Sequence, residues 1–262
     1  MKQSRLLLLI CAIALLLPSC TKENVPKQEV SATFTVDMPQ TKALSDGALA
    51  TELYVRVYDS EQNFLYEQKA NKEATGWNVD LKLVPGTYSF SFWAQSAEAD
   101  AFSFDGQYMT LSYNLMDMNS DTEDAFWAAV AGKEVTAPFT QRVTLKRPFA
   151  FIQIVSNSFI NEPLEGATSS FTITGEVSTR MNLITGHTDE YARNAIFNAA
   201  SLTEYTHGRM TIAAYAYLLV PDEGIPAATV NYNITFKDGR TIDGSVSDVP
   251  LNGNFRTTLI DN

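Results

Sequence analysis

Val79-Asp80-Leu81-Lys82-Leu83-Val84-Pro85-Gly86-Thr87-Tyr88-Ser89-Phe90-Ser91-Phe92-Trp93-Ala94-Gln95 decides the fold class of this chain. Val79, Leu81 and Leu83 alternate with charged residues, the period of two that sets apolar side chains on one face of a strand. Pro85-Gly86 supplies tight-turn chemistry, because the proline ring presets φ and glycine tolerates backbone that other residues avoid. Tyr88, Phe90 and Phe92 then share a face. Two alternating runs around such a turn predict a β-hairpin.

The same pattern extends in both directions. Upstream, Ala32, Phe34 and Val36 alternate across a first strand, Ser31 to Met38. Leu53, Val55 and Val57 mark a second, and Phe64-Leu65-Tyr66 reads as its returning arm. Downstream, residues 97–120 are loop-rich. Asp121 to Ala131 reads as a short helix or an edge strand, and Tyr191 to Ala200 as a second helix. Val143 to Val155 reads as one long central strand bent at Pro148, which lacks a ladder donor. Phe171 to Thr174, Asn182 to Gly186 and Met210 to Val220 follow as strands. Val230, Tyr232, Ile234 and Phe236 alternate into Lys237-Asp238-Gly239-Arg240, a hairpin turn. Thr241 to Ser247 and Phe255 to Ile260 complete the pattern. Short strands punctuated by Gly, Pro, Asn and Asp, with no βαβ alternation, define an all-β chain of antiparallel sandwiches. Two sandwich domains in tandem fit the length, with the composition shifting near residues 132–140. The expected division is 31–140 and 141–262.

Hydrophobic residues make up 45% of the 262, enough for a packed core, and charged residues only 19%, too few for a disordered chain. The net charge is −11, and losing Lys2 and Arg5 with an N-terminal signal makes the remainder −13. Such a surface repels phosphate backbones, so nucleic acid is excluded as a partner.

Lys2 and Arg5 precede an apolar run, Leu6 to Leu17, that is too short to span a bilayer comfortably. A basic start, an apolar middle and a small residue before the cut make a secretory signal over residues 1–19. Leu17, Ser19 and Cys20 resemble a bacterial lipobox, with Pro18 a departure from the usual small residue. That resemblance implies lipid on Cys20 and attachment to a membrane, with 20–30 as a flexible tether. Cys11 leaves with the signal, so no disulfide remains to brace the fold.

Catalytic patterns are scarce. His187 and His207 flank glycines and have no neighbours at ligand spacing, which reads as surface-loop histidine. No nucleophile elbow, P-loop or dinucleotide fingerprint occurs, so the chain reads as a non-enzyme without cofactor. Asp117, Asn119, Asp121 and Glu123 alternate as in a calcium loop. Thr122 stands where the hinge glycine belongs and Ala128 where the distal Glu belongs, so no metal is expected. Trp77, Trp93 and Trp127 could line a sugar site, but aromatics at alternating strand positions read first as core.

Five phrases occur together: Phe92-Trp93-Ala94-Gln95, Asp124-Ala125-Phe126, Leu145-Lys146-Arg147-Pro148-Phe149-Ala150, Asn182-Leu183 with Thr185-Gly186, and Asn254-Phe255-Arg256-Thr257. In this order they resemble a fimbrillin-like lipoprotein group of Gram-negative anaerobes related to type V pilin subunits. The resemblance implies two transthyretin-like or Ig-like sandwiches and a cell-surface or fimbrial place on the outer membrane. In polymerising members it also implies a cut after a basic residue that removes the first strand, whose groove a strand of the next subunit fills. Here Lys42 is the candidate processing site, a departure from the usual arginine. The expected function is a lipid-anchored fimbrial structural or adhesion subunit whose partners are other pilin subunits or surface ligands. The alternative is a monomeric outer-membrane lipoprotein that binds glycan or a partner protein.

Overall fold

The structure, a computed structural model, describes residues 28–39, 47–74, 76–156, 165–197, 199–201, 205–207, 210–221 and 223–261. Cys20, Lys42 and the expected signal 1–19 lie outside the described residues. The regular structure of the described chain is nearly all strand. In order it runs β1 (Val30–Asp37), β2 (Glu52–Tyr58), β3 (Phe64–Asn71), β4 (Trp77–Leu83), β5 (Gly86–Gln95), β6 (Phe102–Asp105) and β7 (Tyr108–Leu111). A single 3-10 turn at Tyr113–Leu115 precedes β8 (Phe126–Val135), β9 (Phe139–Thr144), β10 (Phe149–Ser156), β11 (Thr168–Asn182) and β12 (Thr188–Ile196). There follow β13 (Ala200–Ser201), β14 (Tyr205–His207), β15 (Met210–Leu219), β16 (Ile225–Thr235), β17 (Thr241–Leu251) and β18 (Arg256–Asp261).

Alternation does on β4 what the sequence requires: Trp77, Val79, Leu81 and Leu83 are buried, and Asn78, Asp80 and Lys82 are exposed. The expected hairpin nevertheless does not form. β4 pairs with β1, whereas β5 pairs with β2 and β8, so Val84-Pro85 carries the chain from one sheet to the facing one. Both arms still turn their apolar faces to one core, and for that reason the same residue pattern serves a hairpin and an arch alike. The Tyr88 hydroxyl fastens the arch by donating to the Val84 carbonyl at 2.7 Å.

Sheets β4-β1-β9 and β3-β2-β5-β8 enclose the first core. Phe34 of β1 sits at its centre, with ring centroids 4.9 Å from Phe90, 5.1 Å from Phe92 and 5.5 Å from Phe139. Sheets β14-β15-β10-β18 and β17-β16-β11-β7-β6 enclose the second core, built from Phe149, Phe151, Phe171 and the apolar run of β15. Antiparallel pairs dominate, but β9 runs parallel to β1 and β18 parallel to β10. Thus β1 and β10 each lie beside the last strand of their own sheet in chain order, β9 and β18.

The two cores share a wall. On β5, Phe90, Phe92 and Ala94 face the first core and Trp93 faces the second. On β8, Phe126 and Ala128 face the first, while Trp127 and the preceding Ala125 face the second. A strand buried on both faces can serve two interiors with alternate residues. The division expected at 140/141 runs through β9, which closes the first core's sheet, and the β6–β7 hairpin joins β11 of the second.

Several local expectations are corrected. Residues 97–120 contain the β6–β7 hairpin. Of the two readings of Asp121 to Ala131, the edge strand is the one that forms, as β8 from Phe126. Tyr191 to Ala200 is strand through Ile196, because β12 pairs antiparallel along the long β11. The strand expected over 143–155 is two strands in different sheets, β9 and β10, and Leu145 to Pro148 makes the crossing.

Candidate functional site

The crossing at Leu145–Pro148 is where the quoted phrases meet. Arg147 is 3% exposed and forks onto Asp124, 1% exposed, with Nε–Oδ1 2.6 Å and Nη2–Oδ2 2.7 Å. Its guanidinium carbon lies 4.9 Å from the Phe126 ring centroid and 5.7 Å from that of Tyr217. Burial is the largest single influence and opposes the guanidinium charge, but the hydrogen bonds to Asp124 together with the nearby charges of Asp124, Tyr217 and Asp121 outweigh it and raise the Arg147 pKa. The Tyr217 hydroxyl donates to Asp121 at 2.8 Å; burial, then the Asp124 and Asp121 charges, push its pKa well up.

Trp127 stands beside this pair. Its backbone exchanges two 2.8 Å hydrogen bonds with Lys146, and its indole N–H donates to the Leu183 carbonyl at 2.9 Å. The Lys146 ammonium lies 4.8 Å from the indole centroid. Gly186, at φ +80°, passes so close that a Cβ there would sit 2.6 Å from the ring. From the other side the β17–β18 turn delivers Asn254, whose N–H donates to the Phe149 carbonyl at 2.8 Å, and Phe255, 68% exposed. Between these elements opens a cleft of about 250 Å³, walled by Lys146, Pro148, Gly186, Pro221, Asn254 and Phe255. It offers the Lys146 ammonium beside the Asp124-paired Arg147, one exposed aromatic ring and amide groups: binding chemistry, with no nucleophile beside a base among its lining residues.

The candidates singled out in the sequence fall elsewhere. Cys20 and Lys42 lie outside the described residues. His187 is exposed in the β11–β12 turn. Of the four residues with calcium-loop spacing, Asn119 and Asp121 are drawn away by other partners, while Asp117 and Glu123 line one cavity. Asn119 accepts from the Tyr215 N–H at 2.9 Å and donates to Ser169 at 2.9 Å, Asp121 takes the Tyr217 hydroxyl, and Glu123 turns to the Asp100 N–H. Among the described residues no His, Cys, Asp or Glu group has metal-holding geometry. Trp77, Trp93 and Trp127 are buried, so the indoles are core. The cleft at the Leu145–Pro148 crossing, the waist between the two cores, does not follow from any of the sequence motifs. Its signal was present in Lys146-Arg147, two cations between Leu145 and Phe149 that an ordinary buried strand does not carry.

Two sandwiched layers around each core, a shared wall and a buried ion pair at the crossing define an all-β sandwich protein. The chain belongs to a family of unknown function (DUF6562), which matches residues 22–262. No curated protein matches it in sequence. Among solved structures it is similar to the fimbrial anchor protein Mfa2 of Porphyromonas gingivalis, 14% identical over 88% of this chain and 90% of that one, at TM-score 0.53. It is also similar to a candidate polysaccharide-binding protein of Bacteroides thetaiotaomicron, 13% identical over 82% and 80%, TM-score 0.51. A candidate adhesin of Bacteroides ovatus is 14% identical over 86% and 77%, TM-score 0.51. At such identities the likeness is one of fold.

Proposed function

We propose that this chain is a non-catalytic cell-surface subunit of the fimbrial type, two sandwiches in tandem held to the outer membrane by lipid on Cys20. The observation that carries the reading is the placing of β1, together with a fold that Mfa2 shares over 90% of its length. β1 is the middle strand of its sheet, paired antiparallel with β4 and parallel with β9. Withdrawing it would leave two unpaired edges and an empty row where Ala32, Phe34 and Val36 now sit, a slot for a strand of like pattern. A cut at Lys42 would release β1 from the rest of the chain. That arrangement supports the reading of strand exchange between subunits of a type V pilus.

Limited trypsin digestion of the purified protein tests it. The expected product is a chain lacking the residues before 43 that forms ladders on non-denaturing gels; cleavage that gives monomers alone removes polymerisation by this route. Acylation is checked separately, by mass spectrometry of the N-terminal peptide and by a C20S variant, which should leave the membrane fraction.

A second reading, a monomeric lipoprotein that binds glycan, is favoured by the exposed Phe255 ring beside Lys146 and Asn254 in the waist cleft. A glycan array on wild type and F255A decides it: hits lost in the variant support it, and an empty array rejects it.

A further inference from the structure

A second cavity, of about 410 Å³, opens between the loop after β5 and the loop before β8. Glu98, Asp100, Asp117 and Glu123 line it, with Ser120 and Thr122, and Leu115, 45% exposed, stands at its mouth. Residues 83–132 contain seven carboxylates and no Lys, Arg or His, so these loops bring no countercharge of their own. One observation sets the cluster apart from an ordinary solvated acidic loop. Glu123 is 4% exposed; its Oε1 accepts from the Asp100 N–H at 3.4 Å and the Ala101 N–H also faces the carboxylate, yet Oε2 is buried without a hydrogen-bond partner. An unpaired buried carboxylate oxygen is costly and marks a position awaiting a donor.

We infer that this pocket receives a basic side chain, a lysine ammonium or an arginine guanidinium, presented by a partner protein. The ligand must be a cationic donor, because every ionisable group in the lining is an acid. It must be larger than a bare ion, because no set of these carboxylates closes to metal-holding distances among the described residues. Leu115 at the mouth suits the apolar stem of such a side chain, which covers apolar surface while the charged head goes elsewhere.

Burial, with Asp100 and Asp117 facing it, raises the Glu123 pKa to about 7. A cation that enters must expel the proton, so binding near neutral pH releases it. The probes are Ac-Gly-Lys-Gly-amide and Ac-Gly-Arg-Gly-amide, titrated calorimetrically into the full-length protein, with the norleucine peptide and Ca²⁺ as separate arms. Both basic peptides are expected to bind weakly and the norleucine peptide not at all. Affinity should rise about thirtyfold from pH 5.5 to pH 8 as the acid ionises. Heats should differ between buffers of different ionisation enthalpy, E123Q should weaken binding while leaving the thermal midpoint unlowered, and D117N should weaken binding. Equal binding by wild type and E123Q, binding of Ca²⁺ alone, or no binding by either basic peptide overturns the inference.

Discussion

At the scale of single residues, the buried Arg147–Asp124 fork is the most exacting contact in the chain. Two ions taken out of water are tolerated only while each answers the other, so removing one strands its partner. D124N is expected to cost about 3–5 kcal/mol in denaturant unfolding, and a D124L/R147M double variant less than either single change. If the double variant loses the sum of the singles, the pair is not coupled. Glu123 beside it gives a pH prediction. Its pKa rises from 4.5 in the unfolded chain to about 7, so the folded chain holds the proton more tightly. Stability from that group is full below about 4.5 and declines as pH rises through 7. Glu52, lowered chiefly by its hydrogen bond to Lys69, acts the opposite way and loses its contribution as pH falls through its depressed pKa. The thermal midpoint of wild type should therefore fall relative to that of E123Q between pH 5 and pH 8; parallel curves would contradict the buried-acid account.

Individual elements show what the sequence can say and where it stops. Strand identity is written in side-chain period, and β1, β2, β4, β15 and β16 lie within a residue or a few of where their alternation or apolar runs place them. Strand pairing is not so written. Val84-Pro85-Gly86 has turn chemistry whether the chain folds back beside itself or arches to the facing sheet, and only the distant partners β1 and β2 decide. Tyr191 to Ile196 resembles a helix because β12 lies at a surface, where alternation is weak; pairing with β11 overrides local preference. The waist was legible only as unplaced phrases, since Asp124, Arg147, Gly186 and Asn254 are far apart in sequence and become one site through topology. Two substitutions test these elements. F34A removes the ring that three other aromatics of the first core surround and should cost about 3–5 kcal/mol. G186V sets a branched side chain at φ +80° into the Trp127 ring, so it should lower stability and blue- or red-shift the tryptophan emission, whereas an unchanged spectrum and midpoint would show that Trp127 is not seated there.

For the molecule as a whole, the shared wall governs how the two sandwiches come apart. Tandem domains joined by a tether unfold separately when few contacts cross between them. Here β5 and β8 supply Phe90, Phe92 and Phe126 to one core and Trp93 and Trp127 to the other, and β6–β7, which lies between them in the chain, is paired to β11. Neither core can open without disturbing strands that close its neighbour. Calorimetry of the intact protein is expected to give one transition, with calorimetric and van't Hoff enthalpies close to equal. W93A, on the wall, should shift that single peak to lower temperature and leave it single. D124N, at the crossing, weakens the joint more than the cores and is the variant in which two peaks should separate. Two resolved peaks in wild type would mean that the wall is a mere contact between independent bodies, and withdrawal of β1 would then leave the second sandwich untouched. A single peak would mean that emptying the β1 slot loosens both halves at once, so that a strand from a neighbouring subunit would stabilise the whole chain and not just the sheet that receives it.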